Sequence, residues 1–461
     1  MTSSVRVWPA VPRLIDGLWL LILMGFVVAG LPLATFHGDE AMQIYTSHDY
    51  AIAFIERSPE RLTTAPPYPI DSDPHLRILN GTINRHTIGL SWHLAGLTTG
   101  DLPPRPGWDW GLSYPDNVAT AHRPSDLLLN VSRVSSTVLL ALSVGVLFAL
   151  GWQFGARVGT PRRRVIAYLA SGLYALNPVI LLNGRRAMQE GSLLFFGLLT
   201  ILIAAIISRR RAAGQSDSVG WWALLALSGG LTLASKHSGI VFVIAALVWV
   251  GAAELTRLRW RALVAGAARL AVSAVLIAGL FLLLSPALWN DPLARVGDLL
   301  AVRAELLDIQ VAVEPAAPLT LTDRITAIFT QPFVTAPAHF EVAHWGEVPA
   351  VQAEIARYMA APLSGLQFGP LIGGALTALS VGGLIILLRR IVGPADPVAR
   401  ALAAGLIAWV GLTALSMLVN PLPWQRYYLP LIPAMTLLAS VGVGVVLHRF
   451  CLQTAAVGQS I

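Results

Sequence analysis

This chain has one cysteine, Cys451, and one lysine, Lys236; the remaining 31 of its 32 basic residues are arginine. A lone cysteine near the C-terminus excludes an intramolecular disulfide and a cysteine-built metal site, and it leaves the redox compartment undetermined. Charge is scarce as well. Only 12% of the 461 residues are Asp, Glu, Lys or Arg, against 55% hydrophobic residues. A water-soluble domain of this size has too little polar surface at that composition to cover itself, and the mean hydropathy is +0.65. Internal repeats, low-complexity tracts and a separate cytoplasmic domain are also missing.

What the chain does have is apolar runs of about 20 residues, the length that crosses a hydrocarbon core of roughly 30 Å. The pattern predicts an all-α polytopic membrane protein with ten spans, near 14–35, 126–152, 164–182, 188–207, 219–235, 238–254, 262–284, 366–388, 399–418 and 427–447. The first run, IDGLWLLILMGFVVAGLPLA, lacks a small-x-small cleavage site and reads as a retained span. The spans near 219–254 are short enough to be tilted or partly re-entrant.

The net charge of +7 does not point to nucleic acid, because the arginines cluster in short loops between apolar runs. RVGTPRRR (157–164), SRRRAAG (208–214), RLRWR (257–261) and the loop from Arg389 to Arg400 fall on one side if the N-terminus is cytoplasmic. His448 and Arg449 return the C-terminus to that side. Two large loops, 36–125 and 285–365, then lie outside, with 76–97 and 291–313 reading as interfacial amphipathic helices.

Several charges break the positive-inside pattern by lying at outer helix ends: Arg133, Arg185, Arg186, Lys236 with His237, and Arg426. Boundary charges are costly and commonly face a cavity or a partner. Asp39, Glu40 and Glu190 lie on the same face and complete a polar cluster of both signs. For each residue a plainer reading stands alongside. Arg133 can snorkel toward headgroups, one of Arg185 and Arg186 can pair with Glu190, and FHGDEAMQIYTS (36–47) can be a solvated helix end. His75, His86, His93 and His122 match no metal-ligand spacing, so no metal is expected there. The sequons at 80–82 and 130–132 carry no weight.

The ordered set of motifs is similar to the GT-C superfamily of membrane glycosyltransferases, in the branch of protein O-mannosyltransferases and the lipid A aminoarabinose transferase. HGDE (37–40) resembles the acidic motif of the first outer loop, and NVSRVSSTVLLAL (130–142) the Arg-x-x-Ser start of the second span. NPVILLNGRRAMQEGSLLFF (177–196) resembles the Asn-Pro and Arg-x-Ala-Met-x-acidic segment. LTLASKHSGIVF (231–242) looks like the lysine-bearing turn, PALWNDP (286–292) like the opening of the second large loop, and QRYYLPLIPAMTLLA (425–439) like the final span with its leading Arg-Tyr. Ten spans and the absence of a lectin-like insertion depart from the eukaryotic members and favour a bacterial one.

The resemblance implies an inverting transfer of a sugar, mannose or a relative, from a polyprenyl-phosphate donor to an acceptor hydroxyl outside a plasma (inner) membrane. No cofactor, nucleotide sugar or metal is expected. Asp39 is expected as general base, with Glu40 as its supporting carboxylate or an acceptor binder. Arg133, Arg185, Lys236 and Arg426 have the right sign to hold the phosphate as it becomes dianionic. Arg186, Glu190, His237 and Tyr427 support them. Trp108, Trp110, Trp289 and Trp345 are candidates for sugar stacking or interfacial anchoring. The expected partners are the lipid-linked donor, membrane lipids and a protein, lipid or glycan acceptor; the motifs leave the acceptor class and oligomeric state open. A lipid transporter or flippase is the rival reading. It would be expected to show repeated halves and polar breaks at the midplane, where this chain gathers its polar residues at one face.

Overall fold

Every apolar run becomes helix, but the runs are not equally able to cross a bilayer. The computed structural model describes residues 10–155, 160–216, 218–255, 260–313, 320–394 and 396–458. Residues 157–159 and 257–259 of the basic clusters used for orientation lie outside this set. Among the described residues there is no strand. Seven helical segments are long and apolar enough to span: Arg13–Leu33, Asp126–Gly155, Glu190–Ala212, His237–Glu254, Leu263–Leu284, Pro362–Val392 and Pro397–Val419. A bent pair, Arg163–Ala175 with Pro178–Arg185, makes an eighth.

Among the described residues, length and composition support seven or eight of the ten expected spans. Val219–Ser235 is apolar but short, and the run expected at 427–447 is regular helix only from Ile432. The run expected as one span at 164–182 is broken, its two halves bent by 58°. Pro178 supplies no backbone donor and drives Asn177 into extended backbone (φ −70°, ψ 121°). The Asn177 side chain then restarts the helix by accepting from Val179 N (3.0 Å) and Ile180 N (3.2 Å).

The helices used below are α1 (Ala10–Ala29), α2 (Gly38–Thr46), α3 (Asp73–Leu79), α4 (Thr82–Leu94), α5 (Asp126–Gly155), α6 (Thr160–Ala175), α7 (Pro178–Arg185), α8 (Glu190–Ala212), α9 (Val219–Ser235), α10 (Ile240–Leu255), α11 (Trp260–Leu284), α12 (Pro292–Val313), α13 (Leu321–Thr330), α14 (Pro349–Ala360), α15 (Gly369–Val392), α16 (Pro397–Val419) and α17 (Ile432–Gly458). α5 packs along α6 and α8, α8 along α10, α10 along α16, and α15 along α17. Leu140, Leu147, Leu198, Trp249, Trp409 and Leu437 mark their shared core. Close approach is bought by small residues: a Cβ on Gly191 of α8 would strike the Ser136 carbonyl of α5.

The two outer loops fold over one end of this bundle as a single layer. Phe36, Ala41, Ile44, Trp92, Trp108, Tyr114 and Trp345 form its apolar core. The segment expected as one helix over 76–97 is instead two, α3 and α4, interrupted at Asn80 and Gly81. Gly81 lies so close to the Ser235 carbonyl that a Cβ would collide with it. That contact sets the first loop against the turn carrying Lys236. In the second loop α12 covers most of 291–313, as expected for a helix there.

Candidate active site

Asp39 and Glu40 sit in the first turn of α2, where the helix dipole favours negative charge. His37 is the cap: its Nδ1 accepts from Asp39 N at 3.1 Å, while Glu40 Oε2 accepts from His37 N at 3.1 Å. This is a capping box with an imidazole in the usual hydroxyl role. Neighbouring residues on a helix project about 100° apart, so the two carboxylates meet different surroundings.

Glu40 points inward and is fully buried. Arg133 grips it with two hydrogen bonds, Nε to Oε1 at 2.7 Å and Nη2 to Oε2 at 2.8 Å. Ala187 N adds a third at 2.8 Å. Burial alone would raise its pKa, but Arg133, Arg186 and the Ala187 amide outweigh it and hold the carboxyl below its ordinary value. With its oxygens occupied and no exposed surface, Glu40 is closed to an acceptor. It is a structural anchor, and Arg133 is its counter-ion.

Asp39 points outward, its side chain 25% exposed. Its Oδ2 contacts Arg426 Nη1 and lies 3.9 Å from His37 Nδ1. Arg426 also reaches Glu341 Oε1 through Nε at 3.1 Å. Because His37 Nδ1 already accepts from the Asp39 amide, Nε2 carries the proton and donates to Glu341 Oε2 at 2.8 Å. Burial would raise the Glu341 pKa, but Arg426 and His37 pull it down to about 2. The same balance holds Asp39 below its ordinary value: burial opposes ionisation, and the Arg426 charge and its contact prevail. Asp39 is thus an ionised, accessible carboxylate set by residues from both loops and from the turn before α17.

Arg426 carries this arrangement into a cavity of about 280 Å³. Lys236 and Arg303 join it there, with Leu193, Val241 and Met417 in the apolar wall. Lys236 pairs with buried Glu190 at 2.7 Å, and its Nζ lies 5.9 Å from the Tyr427 ring centroid. Tyr427 stacks on Trp424, with centroids 5.7 Å apart, and Arg426 lies 4.8 Å over Trp424. Among the described residues the Arg303 guanidinium makes no ion pair or hydrogen bond.

The remaining candidates are placed elsewhere. Arg185 is not brought to the cavity. Its guanidinium donates to Val27 O (2.9 Å), Phe26 O (2.8 Å) and Leu363 O (2.6 Å), tying off the end of α1. Arg186 binds Thr35 O (3.0 Å) and His339 O (2.6 Å), clamping the two loops together. His237 stands edge-on to Phe281 with centroids 5.9 Å apart. Trp108 and Trp345 are core residues of the outer layer, whereas Trp110 and Trp289 are each 39% exposed. The four loop histidines are dispersed: His75 accepts from Asp71 N, His122 meets Gly107 O, His86 packs on Phe54 and His93 on Tyr50.

Sequence reasoning missed Glu341 and Arg303. Nothing in the sequence links position 341 to position 37. Arg303 did leave a trace, since Arg303, Leu307 and Gln310 recur at i, i+4 and i+7 on α12 and all line the cavity.

Residues 129–289 match the family model described as dolichyl-phosphate-mannose-protein mannosyltransferase. A search of curated proteins finds no match. Among solved structures the chain is similar to the oligosaccharyltransferase AglB from Archaeoglobus fulgidus in complex with an inhibitory peptide and a dolichol-phosphate. That likeness has a TM-score of 0.50 and 12% identity, over 97% of this chain and 52% of AglB. AglB tethered to an acceptor peptide gives 0.51 and 11%, over 95% of this chain and 50% of AglB. ArnT from Cupriavidus metallidurans bound to undecaprenyl phosphate gives 0.45 and 13%, over 94% and 60%. The chain spans about half the length of AglB, and at these identities the likeness is one of fold. Residues 129–289 are thus similar to one family of mannosyltransferases, and nearly the whole chain shares its fold with AglB.

Proposed function

We propose that this protein is an inverting glycosyltransferase that moves a sugar, mannose or a relative, from a polyprenyl-phosphate carrier to an acceptor hydroxyl on the extracytoplasmic face of the plasma membrane, with both termini cytoplasmic. The observation that carries this reading is Arg426. It contacts the partly exposed carboxylate of Asp39 on one side and lines, with Lys236 and Arg303, a largely apolar cavity on the other. A lipid-linked sugar phosphate needs that pairing of base and cations. AglB, of the same fold, was solved with a dolichol-phosphate and a peptide, and the matched family is described as acting on dolichyl-phosphate mannose; both support the donor class.

The acceptor oxygen attacks the anomeric carbon as the bond from that carbon to the phosphate oxygen breaks. Asp39 takes the acceptor proton. The phosphate gains the bonding electrons, and Arg426, Lys236 and Arg303 stabilise the added negative charge. Glu341 and His37 hold Arg426 and the α2 N-terminus in register. The donor's lipid follows the apolar wall.

The test is transfer by purified protein in nanodiscs from a panel of radiolabelled polyprenyl-phosphate sugars to a membrane extract. Wild-type transfer that Asp39→Asn lowers by about 10²–10⁴-fold, with donor binding retained, is the expected result. Transfer that survives Asp39→Asn removes Asp39 as base. Donor binding without transfer from any carrier sugar would favour a lipid transporter instead.

A further inference from the structure

A second concave site lies in the outer layer and shares no residue with the membrane-side cavity. Residues 69–72, with Arg105, Pro106 and Asp109, line an open pocket of about 450 Å³. Several other loop arginines are paired: Arg77 and Arg85 with Asp49, Arg123 with Glu354, Arg295 with Asp298. Here, among the described residues, the Arg105 guanidinium, the Asp71 carboxylate and Asp109 Oδ2 make no ion pair or hydrogen bond, although they line one pocket. Asp109 Oδ1 accepts from Gly111 N at 2.8 Å. Charges of both signs that are held apart keep their hydrogen bonds for whatever lies between them.

A hydroxyl both donates and accepts, a carboxylate only accepts, and a guanidinium only donates. A neutral polyol therefore satisfies both signs at once, whereas a charged peptide side chain satisfies one and opposes the other. Carboxylate and guanidinium are also planar and two-pronged, which suits adjacent hydroxyls.

Position adds to chemistry. The strap 105–110 lies along α2: a Cβ on Gly107 would strike Ala41 O and Met42 Cα, and one on Gly38 would strike Trp108 and Trp110. Along α2, Asp39 and Tyr45 are about 9 Å apart at 1.5 Å per residue. Trp110 lies toward the Asp39 end, its Nε1 3.3 Å from Met42 Sδ and its ring stacked on Trp345. An exposed indole face between a polar pocket and a base offers an apolar bed for a sugar ring.

We propose that this pocket is the acceptor subsite for a neutral, hydroxyl-rich glycan, which runs over Trp110 to present its hydroxyl to Asp39. The proposal rests on the transferase reading above.

Saturation-transfer NMR on the full chain in nanodiscs tests it, with neutral gluco-, manno-, galacto- and arabino-trisaccharides as probes and a Ser/Thr-rich peptide for comparison. At least one trisaccharide should receive saturation, and Arg105→Ala and Asp71→Asn should each weaken its binding about tenfold or more, with no transfer to the peptide. Binding by no trisaccharide, binding indifferent to both variants, or peptide binding that depends on Arg105 overturns the proposal. Hydrolysis of a polyprenyl-phosphate sugar without acceptor, lost in Asp39→Asn but kept in Arg105→Ala, tests the transferase reading separately.

Discussion

Glu341 of the second outer loop accepts a 2.8 Å hydrogen bond from His37 of the first, across 304 positions of sequence. Through that bond, and through the Arg426 guanidinium that both loops share, the carboxylates of Glu341 and Asp39 become one electrostatic unit. The loops are therefore coupled by charge as well as by their aromatic core.

The first consequence concerns acid stability. Glu341 has its pKa lowered from 4.5 to about 2 in the fold. A depressed folded pKa contributes stability that is present above the unfolded value and is lost as pH falls through the folded one. The melting temperature in detergent should fall as pH drops from about 4.5 toward 2, and Glu341→Gln should reduce that dependence. An equal pH profile in the variant would remove Glu341 from the account.

The Arg133–Glu40 pair makes a second prediction, about which carboxylate is structural. Both side chains are buried, 2% and 0% exposed. Removing one partner leaves a charge without its counter-ion, so Arg133→Met should cost about 3–5 kcal/mol. The double variant Glu40→Leu with Arg133→Met should recover much of the loss, because no buried charge remains. Thermal unfolding in detergent reads both, and a double variant as unstable as the single one would contradict the explanation.

These pairs show what a sequence of this kind reveals. Ten apolar runs are legible because composition alone makes each helical. Their crossing capacity is less so, since Asn177 and Pro178 break one run and 219–235 is short. Asp39, Lys236 and Arg426 are legible as charges where a membrane chain avoids them. The division of labour between Asp39 and Glu40 is not, because it follows from the direction in which α2 projects each residue. Nor is the difference between Arg185, which ties off backbone carbonyls, and Arg426, which lines a cavity. Glu341 and Arg303 sit in an outer loop where charge is ordinary, and only tertiary structure distinguishes them from solvated neighbours.

A third prediction separates two arginines by readout. Arg303 lines the cavity without a protein partner among the described residues, so Arg303→Ala should leave the fold intact and raise the donor KM. One charged hydrogen bond is worth about 1.5–3 kcal/mol, or roughly 10- to 100-fold. Arg185→Ala should do the reverse, lowering the melting temperature while any folded protein keeps the wild-type donor KM. Donor titrations alongside thermal unfolding decide it; a raised KM in Arg185→Ala at unchanged stability would return Arg185 to the phosphate site.

The last prediction concerns the pH dependence of transfer. A general base works only when unprotonated, so the acid limb of kcat/KM follows the Asp39 pKa. Burial raises that pKa, Arg426 lowers it, Glu341 raises it, and the balance lies below the ordinary value of 3.8. Transfer in the wild type should therefore be flat across the mildly acidic range, with its limb below the usual carboxylate region. Arg426→Gln removes the main opposing charge and leaves burial and the Glu341 carboxylate acting together. The limb should then move upward in pH, and kcat/KM should fall at every pH because the phosphate loses a cation. Donor hydrolysis and acceptor transfer, each followed from the acid side to neutrality, test the two effects apart. A lowered plateau with an unmoved limb would mean that Arg426 serves the donor alone and that Asp39 is not the titrating base.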